Sequence, residues 1–324
     1  MNTIPDPISS PDMLKGLAIG VLYGGPSAER PVSIESGENV AKALEQAGHV
    51  VQRVLLDGSF TARDARSLGI DVAFLALHGE FGEDGKIQSI LEDADIPYTG
   101  SGVDASSTAF DKVLAKRAFE NNGIRTPVWM SVDITELDKV AGDNGMCLIP
   151  PMVVKPATGG SSLGVTIVRD ESQVTPAIQK AFEFGDTVLI ERYIRGREVT
   201  IGVLGDVALP VAELQVPGEF YDYQAKYSDD RTRIVCPAEM NDILAACVQA
   251  LGLATHRALG CRDMSRTDII IGEDGLPWVL EVNTLPGMTS HSLLPRAAQA
   301  AGKSFTELCQ DLLRMAVERS LQHK

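Results

Sequence analysis

Arg266-Thr-Asp268-Ile-Ile-Ile-Gly272-Glu-Asp-Gly275-Leu-Pro-Trp278-Val-Leu-Glu281-Val-Asn283 is the stretch on which the reading of this chain turns. Trp278-Val-Leu-Glu-Val-Asn283 alternates as a strand does, which sets Glu281 and Asn283 on one face, roughly 6.6 Å apart along it. Asp268 opens an apolar run, and Gly272-Glu-Asp-Gly275 supplies the turn that folds the two strands into a hairpin. Asp268, Glu281 and Asn283 then form one cluster of hard oxygen donors. Two carboxylates and an amide suit Mg2+, which keeps waters and takes its remaining ligands from phosphates. A pair of such ions about 3.5–4 Å apart would fit the span. The competing reading, a hairpin whose acids merely face water, is outweighed by the three donors together with Arg266 two residues before Asp268.

Phosphate chemistry recurs upstream. Lys155-Pro-Ala-Thr-Gly159-Gly160-Ser161-Ser162-Leu-Gly164 is a small-residue loop after the strand-like 151–156. Such a loop can lay backbone N–H groups along a phosphate chain, with Lys155 supplying charge at its entry. It is not a P-loop, since no Lys-Ser/Thr follows Gly164. Gly160-Ser-Ser162-Leu-Gly164 also matches the GxSxG nucleophile elbow, with Asp268 and His291 downstream in the order a hydrolase needs. That elbow requires a strand directly before and a helix directly after. Pro156 and three more residues intervene, and the exit Val165-Thr-Ile-Val168 is β-rich, so the hydrolase reading is rejected. Lys112 opens a predicted helix after Asp111. Glu191-Arg192-Tyr193-Ile194 ends a strand whose backbone can meet adenine, with Glu198 set for a ribose hydroxyl.

The remainder of the chain frames these segments. Leu17–Tyr23, His49–Leu55 and Asp71–Leu77 read as strands, separated by a helix from about Ser33, taken as its N-cap, to Gly48. This β-α-β spacing predicts a parallel sheet with functional loops at its carboxyl edge, 24–33 and 78–84. The expected organisation is a tail (1–16), an N-terminal α/β domain (17–108), a central domain (109–195) and a C-terminal domain (196–324) carrying a long polar loop at 216–233. Hydrophobic residues at 44% and charged residues at 23% of 324 fit a folded enzyme. A net charge of −15 argues against nucleic acid or a membrane surface as partner, because both are anionic. The five cysteines (147, 236, 247, 261 and 309) show no CxxC pairing, which predicts reduced thiols in a cytoplasmic protein. Residues 1–15 lack a basic segment before an apolar core, so no export signal is expected.

Taken in order, the segments resemble the ATP-grasp fold and, more narrowly, the D-alanine–D-alanine ligase family, from about Leu17 to about Leu313. The resemblance is carried by Tyr23-Gly-Gly-Pro-Ser-Ala-Glu29-Arg-Pro-Val-Ser33, Ala76-Leu-His78-Gly-Glu-Phe-Gly-Glu-Asp-Gly85, Phe220-Tyr-Asp-Tyr-Gln-Ala-Lys226-Tyr227 and Glu281-Val-Asn-Thr-Leu-Pro-Gly287-Met-Thr-Ser-His-Ser292-Leu293. It implies an α/β (α+β) ATP-grasp fold with a parallel N-terminal domain, a small central domain and a mixed C-terminal domain. It further implies ATP-driven joining of two D-alanines through a D-alanyl phosphate, for peptidoglycan precursor synthesis, in a homodimer.

By position, the resemblance puts Lys112, Lys155 and the loop with Gly159, Gly160 and Ser162 on the ATP phosphates. It puts Glu191, Arg192, Tyr193, Ile194 and Glu198 on the nucleoside. Asp268, Glu281 and Asn283 would hold two Mg2+ (or Mn2+). Glu29 would bind the first D-alanine ammonium, with His78 near and Ser161 and Tyr227 linked to Glu29. Arg266 and the Gly287 N–H would steady the tetrahedral oxyanion. Lys226, Ser292 and the Leu293 N–H would meet the second substrate or the phosphate. Departures from the family pattern, at Ala157–Gly160, Pro31 and Ser228, leave the reaction in place. The runner-up is a ligase using D-lactate or D-serine second, against which Tyr227 speaks. A regulatory module without catalysis is opposed by the intact polar set, and a dehydrogenase by the lack of GxGxxG after strand one.

Overall fold

A computed structural model describes residues 13–136, 148–215 and 233–322. Its first sheet comprises β1 (Ala18–Gly24), β2 (Val50–Leu56) and β3 (Val72–Leu75), parallel throughout, in the order β2-β1-β3. β1 and β3 are nearly all buried, as central strands covered on both faces must be. Between β1 and β2 runs α1 (Arg30–Gln46), followed by α2 (Ala62–Ser67), α3 (Lys86–Asp93), α4 (Val103–Phe110) and α5 (Lys112–Asn121). Thr61 and Asp64 form a capping box on α2. Asp111 caps α5 by accepting from the amides of Val113 and Leu114.

Ser33 is not the N-cap of α1. The helix begins three residues earlier, with Pro31 in its first turn, where the missing N–H costs nothing. The Ser33 hydroxyl instead accepts from the Gly24 amide (2.8 Å) and donates to the Ala76 carbonyl (2.7 Å), tying the helix to the ends of β1 and β3. Their carboxyl-edge loops are thereby held together.

A second sheet is antiparallel, in the order β4-β7-β5-β6, with β4 (Trp129–Asp133), β5 (Met152–Pro156), β6 (Thr166–Val168) and β7 (Thr187–Arg192). Helix α6 (Val174–Phe182) covers it, and Val132, Met152, Val154, Ile178 and Ile190 fill a core of its own. The third sheet holds β8 (Gly196–Leu204), β9 (Val207–Ala208), β10 (Ala212–Gln215), β11 (Arg233–Val235), β12 (Met264–Gly272) and β13 (Pro277–Asn283). It runs β11-β10-β8-β12-β13, with β9 beside β8. Helix α7 (Asp242–Ala258) backs this sheet, capped by Asn241, and α8 (Leu293–Ala300) and α9 (Phe305–Gln322) follow it. Leu308, Leu312 and Leu313 of α9 return to the core under the first sheet, where Leu204, Met264 and Leu294 of the third unit also pack. Among the described residues no helix is long and apolar enough to cross a membrane.

Candidate active site

The second and third sheets face each other across a cleft of about 1480 Å³, closed at one end by the loops of the first sheet. Every described residue nominated from sequence lines it. Lys226 and Tyr227, with most of loop 216–233, lie outside the described residues.

The acid hairpin forms as expected, with β12 starting at Met264, four residues before Asp268, because Met264–Thr267 also pair with β8. Asp268 pairs with Glu281 and Arg266 with Asn283. The ladder is irregular beyond this point: Ile269 pairs with Val279, so Leu280 is an extra residue, a β-bulge. Simple alternation would send Glu281 to the same side as Val279, into the core. Because of the bulge, Val279 and Val282 both pack inside while Glu281 and Asn283 line the cleft. Arg266 grips Asp268 with two bonds (Nε to Oδ1 2.9 Å, Nη2 to Oδ2 2.8 Å), and Thr200 donates to Oδ1 at 2.7 Å. Burial works against the Arg266 charge, yet Asp268 beside it raises its pKa further above the usual guanidinium value.

The donor set fits a hard dication. Carboxylate oxygens carry lone pairs beyond those given to Arg266 and Thr200, and the Asn283 carbonyl, which accepts from the Leu285 amide at 2.9 Å, retains a second. Among the described residues no three His, Cys, Asp or Glu could hold a metal together. Two carboxylates and one amide therefore suit an ion that takes its other ligands from nucleotide phosphate and water.

Opposite the hairpin, loop 157–164 joins the antiparallel strands β5 and β6, so no nucleophile elbow exists. Gly159 (φ 96°), Ser161 (φ 53°) and Ser162 (φ 59°) all take left-handed backbone, a turn conformation of the kind in which N–H groups can gather on an anion. Lys112 reaches across from α5 to donate to the Gly159 carbonyl at 2.6 Å and lies 3.8 Å from Glu281. Ser161 donates to Glu29, which links the loop to the first sheet.

Glu191 lines the cleft but sends its carboxylate inward. It is buried between Lys155 (2.5 Å) and Lys116 (2.7 Å). Burial alone would push its pKa up, but the two ammonium groups hold it below the usual carboxylate range. Lys155 stays above its ordinary value despite burial, through Glu191 and Glu281, whereas Lys116 is pushed down. The amides of Arg192 and Tyr193 already donate to the carbonyls of Val128 and Pro151, which leaves Ile194 as the first residue beyond these bonds. Glu198, on β8, faces the same cleft.

His78 is braced on both sides. Its Nδ1 lies 3.1 Å from the Leu285 carbonyl, which can only accept, so Nδ1 carries the proton and donates. Nε2 lies 3.0 Å from the Ser36 hydroxyl, whose oxygen accepts from the Met288 amide at 3.1 Å. His78 thus fastens its own loop to α1 and to the loop after β13 at the cleft floor. Beside it Glu83, whose carboxyl burial pushes up, lines the cleft as well. At the far side α8 points its N-terminus inward, with Ser292 preceding it and Leu293 first. The Ser292 hydroxyl accepts from the Thr289 amide at 2.9 Å. A Cβ at Gly287 would sit 2.6 Å from that hydroxyl oxygen, so any larger residue would have to push Ser292 aside.

Sequence reasoning missed Glu83 and Lys116. Glu83 stood inside a quoted motif, five residues after His78. Lys116 could have been found one helical turn after Lys112, on the same face.

Two antiparallel sheets gripping a cleft, lysines on one side and paired acids on the other, define an ATP-grasp enzyme. Comparison with known proteins narrows the class. A family model described as D-ala D-ala ligase C-terminus matches residues 119–314, and one described as D-ala D-ala ligase N-terminus matches 56–101. A D-alanine–D-alanine ligase from Bordetella petrii is 45% identical over 301 residues, 91% of this chain and 90% of that protein. The crystal structure of D-alanine–D-alanine ligase from Bacillus anthracis complexed with ATP has TM-score 0.80 at 35% identity, covering 95% of this chain and 99% of the other. VanG D-Ala:D-Ser ligase from Enterococcus faecalis has TM-score 0.83 at 28% identity, covering 93% and 99%. The chain belongs to the D-alanine–D-alanine ligase family.

Proposed function

We propose that the cleft carries out ATP-dependent ligation of two D-alanines. The γ-phosphoryl group of ATP passes to a carboxylate oxygen of the first D-alanine, giving D-alanyl phosphate and ADP. The neutral amine of the second attacks the carbonyl carbon, the C–O bond to phosphate breaks, phosphate leaves with the electron pair, and the amine sheds a proton. A carboxylate is a poor electrophile until its oxygen becomes a leaving group, so both steps are needed.

The observation that carries this reading is convergence. The first sheet's loop (Glu29), the second sheet's glycine-rich loop (Ser161) and the third sheet's hairpin (Arg266, Asp268) meet in one cleft, with Ser161 bonded directly to Glu29. Asp268, Glu281 and Asn283 would hold Mg2+, which neutralises charge on the transferring phosphoryl group when bound. Lys112, Lys155 and the backbone of Gly159, Gly160 and Ser162 face the phosphates, and Ile194 with Glu198 the nucleoside. Glu29 takes the first ammonium. Arg266, a fixed fork that keeps its proton, and the Gly287 N–H face the oxyanion. The N-terminus of α8, with Ser292 and Leu293, suits a carboxylate or a departing phosphate. Holding the amine against the acyl phosphate raises its effective concentration over water.

The test is product identification by mass after incubation with ATP, Mg2+ and a mixture of D-alanine, D-serine and D-lactate. D-Alanyl-D-alanine as the main product is expected. A mixed dipeptide or ester in excess would transfer the reading to another second substrate, and no D-alanine-dependent phosphate release would end it.

A further inference from the structure

Lys116 is 0% exposed and lies behind the cleft wall, not on its lining. Leaving an ammonium group this dry is costly unless it is paired and hydrogen-bonded. Its Nζ lies 2.7 Å from Glu191 Oε2 and donates to Thr126 Oγ1 at 2.6 Å. The Thr126 hydroxyl donates in turn to the Val279 carbonyl (2.8 Å), on the strand residue just before the bulge that turns Glu281 into the cleft. The other Glu191 oxygen, Oε1, lies 2.5 Å from Lys155 Nζ. One carboxylate is therefore shared between a lysine that faces the cleft and a lysine that does not.

The consequence is electrostatic. A lone Lys155–Glu191 pair would hold the Lys155 side chain still but would be neutral, with little attraction left for an anion. A second buried ammonium on the same carboxylate restores a net positive charge while keeping the rigid anchor. We propose that Lys116 is a positioning residue for nucleotide: by sharing Glu191 it lets the carboxylate orient Lys155 without cancelling the Lys155 charge toward phosphate. Through Thr126 it also joins the phosphate side of the cleft to the backbone of the acid hairpin. This inference rests on the reading that Lys155 faces the ATP phosphates.

The experiment is MgATP binding by calorimetry, with steady-state kinetics in parallel, on Lys116→Met, Glu191→Gln, the double variant and Lys155→Met. Lys116→Met leaves Glu191 to neutralise Lys155, so ATP affinity falls about tenfold or more while the KM for D-alanine moves less than about twofold. Adding Glu191→Gln removes the cancelling charge, and the double variant regains affinity to within about threefold of the parent, a non-additive result that two merely structural losses would not give. Additive losses, or equal damage to ATP and D-alanine, overturn the proposal. Should Lys116→Met fail to fold, the double variant, which leaves no unpaired buried carboxylate, decides alone: near-parental ATP affinity supports the proposal and a tenfold loss overturns it. Lys155→Met separates the two levels. If it leaves ATP affinity unchanged, the phosphate reading itself fails, whatever Lys116 does.

Discussion

The two long sides of the cleft solve one problem in opposite ways. On the reading proposed above, the four-stranded side would meet phosphate with charge of the protein's own: Lys155 at the loop entry, Lys112 on the neighbouring helix, and a loop with left-handed residues. The six-stranded side presents Asp268 and Glu281, which repel phosphate until a dication lies between. Arg266 on that side is committed to Asp268 by two bonds. The contrast separates holding from activating. On the proposed reading the lysines hold the nucleotide, while the acid side needs a metal before it can act.

The contrast breaks most sharply at Asp268. Asp268→Asn keeps the shape but removes the charge that Arg266 clasps and that a metal needs. D-Alanine-dependent phosphate release should fall by roughly 10²–10³-fold, with much smaller loss of thermal stability. A fall under tenfold would show that the acid side does not carry the chemistry.

Behind that side, His256 on α7 bonds Ser265, next to Arg266, at 2.7 Å. Burial lowers its pKa from 6.5 to about 4. In the unfolded chain the imidazole gains its proton near 6.5, in the folded one only near 4. Between those values the unfolded state holds the extra proton, so stability is fully present above pH 6.5 and is lost as pH falls, by up to about 3 kcal/mol near pH 4. Urea unfolding at several pH values should show this slope in the parent and a flatter one in His256→Asn; parallel slopes would discard it.

Gly196, at the start of β8, pairs with Gly272, and a Cβ there would lie 2.0 Å from the Ile271 carbonyl oxygen. Gly196→Ala forces two backbones apart at the cleft's mouth and should cost roughly 2 kcal/mol in denaturant unfolding.

The smallest effect belongs to the third side. Glu29→Gln should weaken binding of the first D-alanine by about tenfold and leave ATP affinity close to normal. Equal losses in both would show that Glu29 serves the nucleotide.

What was legible in the sequence follows from how far each interaction reaches. The hairpin, the glycine-rich loop and the parallel first sheet announce themselves by local alternation and turn residues, and family motifs carried the rest of the cleft lining. The bulge at Leu280 was not legible, because two-versus-one pairing depends on the partner strand and leaves the alternating pattern looking ordinary. Ser33 was misread since a serine ahead of an apolar run looks like a cap; Pro31, two residues earlier, was the better marker. Lys116 was hidden for another reason. Its partner Glu191 lies on a strand of the four-stranded sheet, far along the chain, and nothing local says a helix lysine will be sealed from water.

The return of α9 to the first sheet has a mechanical consequence. Leu308 and Leu312 share one apolar core with Val21, Phe74 and Leu294, so the first and third sheets are welded into a single frame. The four-stranded unit keeps a separate core. A displacement of that unit alone would leave the shared core intact, and the Ser161–Glu29 bond is among the contacts it would have to break.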